Sequence, residues 1–256
     1  MDIEGVSAVV TGASSGIGAA AARALAAEGA RCVVADVNEQ LGAQVAQEIG
    51  GTFVRSDVTQ DDGLDAAIAA AEAMAPMRIA VNAAGILVGE RTVDRTGAPH
   101  DLASFVRVIT VNLVGVFNGT RVCAAAIART DPIGPDAQRG VIVNLSSVAA
   151  FEGQVGQAAY AASKAGIAGM TLPIARDLAV AGIRVNAIAP GLVDTPIYGD
   201  GPDADAMKAR LAEGVPFPRR LADAAEIGAM VVALVRNDYV NGETIRVDGG
   251  IRMQPR

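Results

Sequence analysis

The chain has 256 residues, 51% of them hydrophobic and 19% charged, enough to bury one large core, so a single domain spanning residues 1–256 is expected. A formal net charge of −7 leaves no basic face to collect phosphodiester charge, which argues against a nucleic-acid partner. The opening MDIEGVSAVVTG matches neither a signal nor a transit peptide, and no stretch approaches the roughly 18 uncharged apolar residues of a membrane span. The reading is a soluble cytoplasmic protein with no membrane partner.

Short β-branched runs alternate with long alanine-rich stretches. The first run, SAVV (7–10), enters TGASSGIG, Thr11 to Gly18, and then the helical AAAARALAAEG. Gly12 permits a tight turn, Gly16 lets backbone approach a diphosphate, and Gly18 allows close packing of helix on strand, while the helix N-terminus offers oriented N–H groups to the anion. The cluster follows a strand and opens a helix, which is the context a dinucleotide site requires. Its glycine spacing, three then one, differs from the one-then-two spacing of the usual fingerprint.

The second run, RCVVA (31–35), carries Cys32 and ends at Asp36. A carboxylate there can accept both ribose hydroxyls of an adenosine and repels a 2′-phosphate, so it favours NAD over NADP; neither Ser15 nor Val37 is basic. TFVR (52–55) leads to Asp57 and Val58, with Asp57 placed to bond an adenine amino group. RIAVN (78–82) leads to Asn82, Ala83, Ala84 and Gly85, small residues that leave room for a flat adenosine. The single histidine, His100, sits in a polar loop, and no set of three or four ligands converges, so no metal is expected. Asn112 falls inside a long apolar helix, as does Cys123, and both cysteines read as buried thiols.

After a surface loop at 128–140, GVIVNL (140–145) leads to Ser146 and Ser147, and IRVNAIA (183–189) leads to Pro190, Gly191, Val193 and Thr195. An irregular insertion at 195–220 follows a strand's carboxyl end, where open sheets carry lids over substrate. ETIRV (243–247) is the seventh strand. Seven strands separated by helices predict an α/β fold: a doubly wound parallel sheet with helices on both faces.

Between the fifth and sixth strands stands YAASK. Tyr160 and Lys164, four residues apart on a helix, share one face at about 5 to 6 Å between Cβ atoms. A phenol titrates too high to be a base at neutral pH, but a neighbouring ammonium favours phenolate, so Lys164 is placed to lower the Tyr160 value. Tyr160 then takes a proton from an alcohol while hydride leaves the same carbon, with Ser147 holding the reacting oxygen. Asn112 either anchors a water linking Lys164 to solvent or plays a structural part, because a buried Asn must find partners.

These residues resemble the short-chain dehydrogenase/reductase family: Thr11 to Gly18 matches its TGxxxGxG, Asn82 to Gly85 its NNAG with Ala83 in second place, and Asn112, Ser147, Tyr160 and Lys164 its catalytic tetrad. The resemblance implies a Rossmann-type sheet of order 3-2-1-4-5-6-7 and a homotetramer. It also implies that Ser15, Ile17, Asp36, Asp57, Val58, Ala83, Tyr160, Lys164 and Val193 line an NAD site. Segments 147–179, 215–221 and 241–255 are similar to the branch that oxidises 3-hydroxyacyl-CoA thioesters, which makes conversion of a (3S)-3-hydroxyacyl-CoA to its 3-oxoacyl-CoA the leading expectation. The insertion matches that branch poorly, and Lys208, Arg210, Arg219 and Arg220 are either partners for coenzyme A phosphates or plain surface charge. A dehydrogenase of a steroid, polyol or other small alcohol stays open, as does a non-catalytic NAD-binding regulatory subunit.

Overall fold

The computed structural model describes residues 1–199 and 201–255; Asp200, within the expected lid, lies outside the described residues. The strands are β1 (Ser7–Thr11), β2 (Arg31–Asp36), β3 (Thr52–Arg55), β4 (Met77–Asn82), β5 (Gly140–Leu145), β6 (Ile183–Pro190), β7 (Val193–Asp194), β8 (Ala222–Asp223) and β9 (Thr244–Val247). The helices are α1 (Gly16–Ala27), α2 (Glu39–Glu48), α3 (Asp65–Met74), α4 (Leu102–Ile109), α5 (Gly115–Ala128), α6 (Ala149–Glu152), α7 (Ala158–Ala179), α8 (Pro202–Ala212) and α9 (Ala224–Arg236).

Side chains alternate across a strand, and here both faces are apolar. Ala8 and Val10 of β1, with Cys32 and Val34 of β2, join a core formed with α1, α2 and α9. Val9, Val33 and Ala35 point the other way, into a core formed with α3, α5 and α7. Strands buried on both faces need a helical layer on each side, which is why the continuous Val and Ile runs specify a parallel sheet.

Seven strands form that parallel sheet in the order β3-β2-β1-β4-β5-β6-β9. The expected order is therefore found, the seventh sheet strand being β9 because β7 and β8 pair only with each other. With every strand running the same way, all carboxyl ends meet along one edge, and the order reverses between β1 and β4 to open a crevice there.

Two segments differ from the sequence reading. The insertion after β7 is not wholly irregular: a 3-10 turn (Pro196–Tyr198) precedes α8, which has Pro202 in its first turn with Asp203 and Asp205 beside its positive end. The run Leu102–Ala128 is one helical stack, α4 and α5 joined by a π turn at Thr110–Val114. It is long and apolar enough to cross a membrane by length and composition, although Arg107 and Arg121 interrupt it. It packs on α7 and the sheet, and Val114 and Phe117 stay exposed.

Candidate active site

The crevice at the carboxyl edge holds a cavity of about 820 Å³. One end is built by the turn after β1. Gly12 has φ +65°, and a Cβ there would lie 2.6 Å from the Ala84 backbone; a Cβ on Gly18 would lie 2.1 Å from the Gly12 carbonyl oxygen. Only glycine lets these chains meet, and the meeting shapes a shallow cradle. Ser15, at the N-cap of α1, makes no side-chain cap bond, so the first N–H groups of the helix are left to an anion.

Asp36 stands at the tip of β2. One carboxylate oxygen accepts the Ser14 N–H at 3.1 Å and the other the Asn38 N–H at 2.9 Å. Each oxygen keeps further acceptor capacity for a pair of hydroxyls. Asp57 accepts the Thr59 N–H at 2.9 Å and its hydroxyl at 2.7 Å, and these bonds hold its carboxyl below the usual range. Among the residues lining the cavity, Lys164 is the one basic side chain, and it lies at the far end. A glycine cradle, a helix N-terminus and a fixed carboxylate fit the diphosphate and adenosine of a dinucleotide.

The other end gathers Ser147, Tyr160 and Lys164. Ser147 follows β5, accepts the Ala149 N–H at 3.1 Å, and is hydrogen-bonded to the Tyr160 phenol. Its neighbour Ser146 faces elsewhere and donates to the Lys164 carbonyl at 2.8 Å, so of the two serines Ser147 meets Tyr160. The Lys164 ammonium donates to the Leu145 carbonyl at 2.7 Å and lies 5.6 Å from the centre of the Tyr160 ring.

The electrostatics depart from the expected simple depression of the phenol. Burial raises Tyr160 above its ordinary value, with the Ser147 bond pulling in the opposite direction, and burial pushes the Lys164 ammonium down to about 8. Desolvation disfavours charge on both groups, and in an enclosed site it outweighs their mutual help.

Every sequence-named cofactor residue but one lines this cavity: Gly12, Ser15, Gly16, Ile17, Gly18, Asp36, Asp57, Val58, Ala83, Gly85, Tyr160, Lys164, Pro190, Gly191, Val193 and Thr195. Asn82 stands apart. Its amide is buried beneath the crevice, donating to Asn144 at 2.8 Å and Thr120 at 3.3 Å. Asn112 also sits behind the wall: it accepts the Ile86 N–H at 2.8 Å, donates to the Ile86 carbonyl at 2.9 Å and to Ser163 at 3.2 Å. The side chain thus clamps the loop carrying Gly85, and the π turn around it interrupts the helical ladder beside the site.

Several lining residues carry no motif in the sequence: Gln154, Gln157, Tyr198, Met207, Leu211 and Met253. Tyr198, one of three tyrosines, offered a faint signal by following a strand end; its phenol is pushed up to about 12 by burial and by the facing Tyr160 and Asp194. The four cations considered for phosphate divide. Lys208 pairs with Asp194 at 2.8 Å and Arg220 with Glu226 at 2.7 Å, while Arg210 and Arg219 are exposed.

Comparison with known proteins agrees with this geometry. Residues 12–252 match the family model described as enoyl-(acyl carrier protein) reductase. The chain is 48% identical to the 3-hydroxyacyl-CoA dehydrogenase type-2 proteins of Bos taurus and Homo sapiens, over 99% of this chain and 97% of each relative. The crystal structure of 3-hydroxyacyl-CoA dehydrogenase type-2 from Mycobacterium avium superposes with a TM-score of 0.93 at 42% identity, covering 98% of both chains. With that likeness running almost end to end through sheet and site alike, the chain belongs to the short-chain dehydrogenase/reductase family and is an oxidoreductase.

Proposed function

We propose that this enzyme uses NAD to oxidise the secondary alcohol of a (3S)-3-hydroxyacyl-CoA to the 3-oxoacyl-CoA. The observation that carries the reading is the convergence of Ser147, Tyr160 and Lys164 at one end of a cavity whose other end is the glycine cradle and Asp36. The acyl-CoA assignment is supported by the 48% identity to 3-hydroxyacyl-CoA dehydrogenase type-2 proteins, which runs through 99% of this chain.

In this reading Ser147 holds the reacting oxygen and Tyr160 accepts its proton. Lys164 stabilises the phenolate and the cofactor ribose. Asn112 keeps the Gly85–Ile86 loop against Lys164; a Cβ on Gly85 would lie 3.6 Å from the ammonium. The cofactor, when bound, takes up the hydride released from the alcohol carbon. Asp36 favours NAD, because a 2′-phosphate would meet a carboxylate and no lining cation at that end.

The apolar lid residues Met207 and Leu211 favour a second reading, a dehydrogenase of a steroid or other small apolar alcohol. Exposed Leu102, Val106, Val114 and Phe117 on the α4–α5 stack supply a face that a homotetramer would cover, and this assembly forms part of the proposal. Initial rates of NADH formation with 3-hydroxybutyryl-CoA, its 2-methyl analogue and a hydroxysteroid, each with NAD and with NADP, test the assignment. Turnover of the thioesters with NAD supports it, and turnover of the steroid alone overturns the acyl-CoA reading.

A further inference from the structure

The segment after β9 holds none of the catalytic or cofactor residues named above, yet it reaches the site through Met253. The Gly249 carbonyl accepts the Phe217 N–H at 3.2 Å, where the insertion returns to the sheet. Further on, the Met253 N–H donates to Glu152 at 3.0 Å, the Gln154 amide to the Gln254 carbonyl at 2.9 Å, and the Val155 N–H to the Pro255 carbonyl at 3.1 Å. Residues 152–157 lead into α7 and Tyr160. The segment is therefore tied both to the lid and to the approach to the proton-transferring phenol.

Its position is held by charge. Arg246 bonds Glu152 at 2.8 Å and Asp248 at 2.7 Å, and donates to the Ile251 carbonyl at 3.1 Å. Arg252 adds contacts to Glu152 at 3.4 Å and Asp248 at 3.3 Å. The bonds from Arg246 hold the Glu152 carboxyl below its ordinary range. Fixed in this way, Met253 is half-buried and lines the same cavity as Tyr160, Gln157, Tyr198, Met207 and Leu211.

We infer that Met253 is a specificity-determining residue: with Met207 and Leu211 it forms the apolar wall that receives the alkyl part of the substrate beyond the reacting carbon. A thioether on an unbranched stem adapts to alkyl groups of different size. Nothing in the described cofactor cradle depends on it. This inference rests on the reading that a secondary alcohol binds against Tyr160.

The test compares the parent enzyme with Met253→Ala and Met253→Trp across 3-hydroxybutyryl-, 3-hydroxyhexanoyl- and 3-hydroxyoctanoyl-CoA. The ratio of kcat/KM for octanoyl to butyryl substrate is expected to rise about fivefold or more in Met253→Ala and to fall about as far in Met253→Trp, since one methylene in a pocket discriminates roughly tenfold or more. NADH binding, followed by its fluorescence, verifies that both variants are folded. Ratios within about twofold of the parent in both variants overturn the inference. If the parent oxidises free 2-alkanols and no thioester, the acyl-CoA proposal falls while the same ladder of alkanols still decides the role of Met253. A parent enzyme idle on both series overturns both.

Discussion

The Lys164 ammonium sits 5.6 Å from the centre of the Tyr160 ring and is bonded at 2.7 Å to the carbonyl of Leu145. The lysine is thus fixed from behind by the end of β5, so its charge is aimed along the phenol instead of being free to find solvent. Both groups resist ionisation because both are buried.

Replacing Tyr160 by Phe removes the hydroxyl proposed to accept the proton and leaves the ring. The expected outcome is a fall in kcat of about 10²- to 10⁴-fold with NADH binding preserved. Near-parental turnover in steady-state assays would refute the assigned role.

Burial of Lys164 makes a prediction about the protein without cofactor. Its folded value of about 8 lies below the ordinary 10.5, so between these two values the unfolded chain binds more protons than the folded one and stability rises with pH. Below about 8 the full cost of the buried ammonium is present, on the order of 3 kcal/mol. Lys164→Met should therefore be inactive yet more stable than the parent at neutral pH, by an amount that shrinks as the pH approaches 10.5. Urea unfolding of both proteins across that range checks the sign, and a gap that widens with pH contradicts it.

Asp36→Ala should lower the preference for NAD over NADP by about 10- to 100-fold, the worth of hydrogen bonds to one charged group. The ratio of kcat/KM for the two cofactors with one alcohol measures this. An unchanged ratio would remove the carboxylate from cofactor selection.

Asn112→Ala leaves the Ile86 N–H and carbonyl without their partners. The expected cost is about 1–3 kcal/mol of unfolding free energy, read by denaturant titration, together with reduced kcat. Lost turnover at full stability would instead assign Asn112 a direct part in the proton relay.

The sheet is legible in the sequence because its central strands β1, β4, β5 and β6 are short apolar runs buried along their whole length, and β1, β5 and β6 end directly on glycine or serine. The cofactor turn is legible for the same reason that it works, since Gly12 and Gly18 allow contacts no side chain permits. The π turn at Asn112 is not, because it depends on how α4 and α5 lie against α7 and leaves no compositional trace. Nor are Met253, Gln154 and Gln157, whose membership of the site follows from long-range bonds between residues about a hundred positions apart. The Tyr160–Lys164 spacing correctly brings the two groups together, but it gives no measure of their desolvation, which reverses the expected shift of the phenol.

The pairing of β7 with β8 joins Val193 to Ala222 and Asp194 to Asp223. The stretch between them therefore leaves and re-enters the body of the protein at a single point, and the entropy of closing it grows only slowly with its length. Such a pinched insertion can vary in its outer part without moving β7 or β8, its return limb being the part bonded to Gly249 through Phe217. Variation confined to this stretch can accordingly reshape the cavity wall at Met207 and Leu211 while Ser147, Tyr160 and Lys164 keep their places.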